Sequence, residues 1–112
     1  MDAVIANIVN VQKELKYCIE NLETGKTISA LDNISLLCKN VNIFAEYKEI
    51  SPIYKAATIT ANWLIFHIST STNILCNTTK KTLSRAMAIV NLRRCQLLLD
   101  KLLVTIHKTT SR

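Results

Sequence analysis

Gly25 is the only glycine and Pro52 the only proline among 112 residues. No other feature of the sequence limits the fold as much. A β-rich domain reverses direction often, and its tight turns call on Gly, Pro and Asp-Gly or Asn-Gly pairs. Long helices need the opposite, a scarcity of breakers. The sequence therefore predicts an all-α fold of four main helices in one domain, arranged as a compact helical bundle or as a short fragment of an α-solenoid. Apolar residues make up 49% of the chain, which suffices for a packed core and is too much for a disordered segment.

Apolar spacing places the helices. Val4, Ile5, Ile8, Val11, Leu15, Cys18, Ile19 and Leu22 recur at steps of three and four, which predicts a first helix over about 3–22. Gly25 follows as the left-handed residue that closes it. A second helix is expected over about 30–46, opened by Ser29 with Asp32 in a capping-box spacing. Asparagines in "KNVN" weaken it near Asn40. Ser51-Pro52 is the clearest boundary. Serine accepts from free amide groups, and proline at the first helical position has no amide hydrogen to lose. The third helix runs 52–68 or 52–76, depending on whether "STST" ends it. Trp63 on this helix is expected to anchor the core. The fourth helix is expected over about 78–107, roughly 45 Å long at 1.5 Å per residue. That length suggests a bend or an extension past the body. Leu97, Leu98, Leu99, Leu102 and Leu103 put apolar groups on nearly all its sides, so Leu99 and Leu103 are expected in the core or in an oligomer contact.

The residues that could carry chemistry are few. His67 and His107 are distant in sequence and neither neighbours an acid. His67, in "LIFHIST", reads as a hydrogen-bonded core histidine. One glycine cannot build a phosphate-cradling loop. Cys18, Cys38, Cys76 and Cys95 form no CxxC unit and no zinc spacing with the histidines. All four read as reduced core thiols, which places the chain in the cytoplasm or nucleus. The first residues show no signal-peptide pattern. The triplets Asn33-Ile-Ser and Asn77-Thr-Thr are read as chance sequons. The expectation is a non-enzyme without metal or cofactor.

Charge is uneven. Residues 1–75 carry six basic and seven acidic side chains, whereas residues 76–112 carry eight basic ones against Asp100 alone. The basic third has Lys80, Lys81 and Arg85 near the start of the fourth helix, where they oppose the helix dipole, and Arg93 and Arg94 further on. These five residues are candidate contacts for an acidic partner. Nucleic acid would be held by its phosphates, without sequence preference, because no Phe, Tyr or Trp follows Phe66 to stack on bases. The stretch Ala56–Thr79 has no charged residue, but its asparagines, histidine and hydroxyls argue against a membrane span.

"ALDNISLLCKNVNIF", followed by "AEYKEISPIYKAA", resembles an armadillo repeat. Ala30-Leu31-Asp32-Asn33-Ile34 is similar to the family's core motif, and Ile50, Pro52 and Ile53 to the start of its next helix. The likeness covers residues 28–70. It implies a helical repeat in which an asparagine, here Asn33, binds the backbone of an extended peptide. The reading that combines these observations is a non-catalytic protein–protein interaction module, self-associating into a homo-oligomer through the fourth helix. A sequence-blind nucleic-acid binder is the alternative, and a small helical antagonist or immunity-type protein a further one.

Overall fold

A computed structural model describes residues 2–45, 52–77 and 81–110. They form four helices: α1 (Asp2–Glu23), α2 (Thr27–Ala45), α3 (Pro52–Asn77) and α4 (Lys81–Thr110). Each helix buries one narrow seam of residues spaced three and four apart. The seam is Ile8, Val11, Leu15, Cys18 and Leu22 on α1, and Ala30, Ile34, Leu37 and Val41 on α2. On α3 it is Ala57, Ala61, Leu64, Ile68 and Ser71, and on α4 Ala88, Leu92, Cys95, Leu99, Leu102 and Ile106. Such spacing keeps one stripe facing inward along the whole helix, as in coiled coils and four-helix bundles.

The helices close into a ring in which α1 packs on α2 and α4, and α3 packs on α2 and α4. Gln12 Nε2 donates to Asp100 Oδ1 at 3.0 Å and Arg93 Nη2 to Glu23 Oε1 at 2.5 Å. Numbers rise along α1 as they fall along α4, so these two helices are antiparallel. At one end of the bundle, Gly25–Ser29 lie beside Leu75 and Cys76 of α3 and Ser84 and Arg85 of α4. The direction therefore alternates through α2, α3 and α4 as well. The fold is the compact helical bundle. Its long axis is 49 Å, close to the length of α4, which is about 45 Å for 30 residues. Thus α4 spans the body and does not project from it, and Ile106 near its end is still buried.

Local chemistry explains the helix ends. Gly25 has φ +79°; its amide donates to Leu22 O at 3.2 Å and that of Lys26 to Asn21 O at 2.7 Å. This pair of bonds is the Schellman closure, which requires a left-handed residue and favours glycine there. The second helix begins earlier than its capping residues suggest. The Ala30 amide already donates to Lys26 O at 3.0 Å, so Ser29 and Asp32 lie inside its first turns. Pro52 is the first helical residue of α3, while Ser51 lies outside the described residues. The "STST" segment continues the helix. Thr70, Ser71 and Thr72 each turn the hydroxyl back onto the carbonyl four residues before, at 2.9, 2.9 and 3.0 Å. This satisfies the hydroxyls locally, and it lets Ser71 sit fully buried.

Several expectations about the core need correction. Trp63 is 54% exposed and does not anchor it. Leu64 holds the inward seam, and the next residue on a helix points about 100° away. Ala57 and Ala61 complete that seam, and an indole would overfill the space they allow. His67 is half-buried, with its ring against Trp63 and Phe66 and no place in the seam. Of the four free thiols, Cys18 and Cys95 are buried, Cys38 is half-buried and Cys76 is exposed at the end of α3. Burial pushes the Cys18 and Cys95 thiols up to about 12 and raises Cys38.

Leu99 lies in the seam and Leu97 is 61% exposed, so the two should behave differently. Leu99→Ala should cost about 2–5 kcal/mol in denaturant titrations, and Leu97→Ala within about 0.5 kcal/mol. The thiols supply a second expectation. In the native protein a disulfide-exchange reagent should modify Cys76 first, and reach Cys18 and Cys95 only on unfolding. A thiol raised by burial favours the fold while neutral. Stability should therefore be level below about pH 9 and fall as pH rises towards about 12, by up to about 1.4 kcal/mol per pH unit for each buried thiol. Urea midpoints at pH 8 and pH 10, with Cys18→Ala as control, measure this.

Candidate interaction surface

The residues left outside the seams are as regular as those inside. On α3, Ile59, Trp63 and Phe66 are exposed large apolar side chains at steps of four and three. Trp63 and Phe66 meet edge to face with centroids 6.4 Å apart, and His67 stacks on Trp63 at 6.3 Å. The three rings thus form a small aromatic cluster on the outside of the bundle. No charged residue borders it on α3 after Lys55.

On α4 the exposed apolar residues are Leu83, Met87, Val90, Leu97 and Val104. Leu83, Val90, Leu97 and Val104 recur every seven residues. Beside them runs a second row with the same interval, Met87, Arg94, Lys101 and Lys108, all exposed. A seven-residue repeat holds its position on a helix that faces a partner along its length. The inward seam of α4 has one such repeat, and the outward face has another. A shallow groove runs along part of it, lined by Leu97, Asp100, Lys101, Val104 and Thr105.

The outward stripes of α3 and α4 stand on adjacent helices.

The sequence-predicted contact residues divide among several places. Arg93 is on the α1 flank of α4, paired with Glu23 at the surface; such a pair contributes about 0–1 kcal/mol. Arg94 lies further round, in the basic row of the outward face. Arg85 is half-buried at the end of the bundle, with its guanidinium beside the Gly25 turn. Lys80 lies outside the described residues, as does the side chain of Lys81. Asn33 is half-buried, and its Oδ1 accepts from Asn21 Nδ2 at 2.7 Å. That bond ties α2 to α1 and engages the amide oxygen within the bundle. Leu99 is buried and Leu103 half-buried against the core.

Sequence reasoning missed Ile59, Phe66, Val90, Leu97 and Val104 as surface residues, and Lys101 and Lys108 as companions of Arg94. A signal was present in α4, since the seven-residue recurrence of Leu83, Val90, Leu97 and Val104 is visible in the letters. The signal in α3 was obscured, because apolar residues there occupy both faces. Among the described residues, no three His, Cys, Asp or Glu side chains group as a metal site requires. No helix of the described residues is long and apolar enough to cross a membrane.

Exposure of Trp63 is directly measurable. At dilution, where the chain is monomeric, the emission maximum should lie near that of hydrated indole, and a neutral quencher should reach the ring freely. Under the same conditions Trp63→Ser should change the stability of the monomer by no more than about 1 kcal/mol, far below the 3–5 kcal/mol expected for truncating a buried tryptophan.

No family model, curated protein or solved structure matches the chain. The resemblance of residues 28–70 to an armadillo repeat rests on those residues alone.

Proposed function

We propose that the protein is a non-catalytic protein–protein interaction module whose contact surface is the outward side of α3 and α4. One observation carries this reading: apolar residues at helical spacing form two exposed stripes in addition to the complete inward seams. Scattered exposed leucines are ordinary. A stripe in register with the helix is what a helix presents to a neighbour.

Self-association belongs to this reading, but its place moves from the leucine run of α4. The bundle itself covers Leu99 and Leu102 and half-covers Leu98 and Leu103. The uncharged cluster of Ile59, Trp63 and Phe66 is the better face for a second copy, because two identical neutral surfaces meet without like-charge repulsion.

A second reading is sequence-blind nucleic-acid binding through α4, favoured by the exposed row Arg94, Lys101 and Lys108. It ranks lower because apolar residues alternate with these cations, and phosphates gain nothing from Leu97 or Val104.

Light scattering over a range of concentrations tests the first reading. The wild-type protein should exceed the monomer mass of 12.6 kDa. Trp63→Ser with Phe66→Ser should return it to the monomer with an unchanged helical circular-dichroism spectrum. Reversing Arg94 and Lys101 to Glu should leave the mass unchanged. If the same reversal instead abolishes tight binding of every DNA and RNA sequence and flattens its salt dependence, the nucleic-acid reading takes precedence.

A further inference from the structure

We infer that the outward face of α4 docks an acidic amphipathic helix of a partner protein. This deepens the interaction-module reading and rests on it. The seam Leu83, Val90, Leu97 and Val104 gives the apolar line, about 32 Å long over 21 residues. Helix-in-groove recognition reads such a line through anchors at heptad spacing. The row Arg94, Lys101 and Lys108 gives the sign of the partner. None of the three makes an ion pair or hydrogen bond through its side chain within the described residues. They stand seven residues apart along one flank of the seam, where the charged positions of a helix pair choose their partner. A helix with leucines on its seam and Asp or Glu on the facing flank matches both rows at once.

The other flank shows the same pairing already made. There α1 packs against α4, and Glu23 accepts from Arg93, with Lys16 lining the same groove as Arg93. Thus α4 already takes one carboxylate from a neighbouring helix on that flank, and it presents a second basic, apolar face outside the bundle.

Charge also decides against a second copy on this face. In an antiparallel pair, equivalent flanks meet, and Arg94, Lys101 and Lys108 would face the same cations of the copy. In a parallel pair they would face Arg93, Asp100 and His107, where Asp100 is the only acid and already accepts from Gln12. Like charges across a helix pair destabilise it.

The test uses the full chain and three labelled probes: a 24-residue helical peptide with leucines at heptad positions flanked by Glu, the same peptide flanked by Lys, and a DNA duplex. Anisotropy titrations at low salt should show the Glu-flanked peptide binding at least tenfold more tightly than either other probe. Its affinity should fall at least tenfold between 50 and 500 mM salt, since the flank pairs are exposed. Leu97→Asp should abolish binding; because Leu97 is exposed, the variant should keep its helical spectrum. Arg94→Glu with Lys101→Glu should reverse the preference in favour of the Lys-flanked peptide.

Equal affinity for the two peptides, or no binding of the Glu-flanked one, overturns the inference. So does tighter binding of the duplex, which makes the face a polyanion site, or a dimer that Leu97→Asp splits, which makes it a contact between copies. If the peptide fails while Trp63 and Phe66 still hold an oligomer together, only the α4 assignment falls. A chain that is monomeric at every concentration and binds no peptide removes the interaction reading as well.

Discussion

Everything in this molecule depends on the narrowness of the inward seam. A single stripe of residues at steps of three and four covers only part of a helix surface. In α3 that stripe is made of Ala57, Ala61, Leu64, Ile68 and Ser71, and three of the five are small. Small residues let neighbouring helices come close, and they leave no room for a ring. The large apolar residues of α3 are therefore pushed outward, where Ile59, Trp63 and Phe66 form a second stripe. The polar content of the seam is handled with equal economy. Ser71 is buried because its hydroxyl is returned to the carbonyl of His67, and among the described residues no buried side-chain nitrogen or oxygen lacks a partner.

Charge follows from the same geometry. A seam buried on every helix has no site for an unpaired cation. Of the described basic side chains of the last third, Arg85 sits at the end of the bundle beside the Gly25 turn, and Arg93, Arg94, Lys101 and Lys108 lie on the flanks or outer face of α4. One flank is neutralised by α1 through Arg93 and Glu23, with Gln12 and Asp100 bonded a few turns away. The outer face keeps Arg94, Lys101 and Lys108. The charge imbalance read from composition is thus a directional property of one helix face, and a direction is what a partner recognises.

The sequence made the helical class, the glycine closure at Gly25 and the proline start at Pro52 legible, because each rests on local backbone chemistry. The seam of α1 was equally clear, since polar residues separate its apolar positions. In α3 the letters failed. From Ala56 to Thr79 nothing is charged, and without charges to mark the solvent side, periodicity could not tell the seam from the outer stripe. Size then misled: the single tryptophan was assigned to the core on bulk, whereas the packing there selects alanine. The same ambiguity hid the fate of "STST", which looks like a helix end until its hydroxyls are seen bonded to Phe66, His67 and Ile68. For the contact surface, Arg94 was legible by charge. Leu97 was read with its neighbours as part of an all-round apolar helix, and the structure separates it from Leu98, Leu99, Leu102 and Leu103.

The separation of Leu97 from Leu99 follows from helix geometry. Two residues apart on a helix is about 200°, so a helix with leucine at both positions has apolar groups on opposite faces. Such a helix serves as a wall with two sides. Its inner side is held by the closed ring of helices and needs nothing further for stability. Its outer side is free to change without unfolding the bundle, which is the condition for a surface that sets partner choice. On the proposed reading, stability and recognition are divided between two repeats on one helix, Leu92–Cys95–Leu99–Leu102–Ile106 inward and Leu83–Val90–Leu97–Val104 outward. In α3 the division is the same, with alanines inward and aromatic rings outward. The rigid core fixes the spacing of the outer row, so the proposed partner helix would meet anchors that are already in position, which lowers the entropy lost on binding.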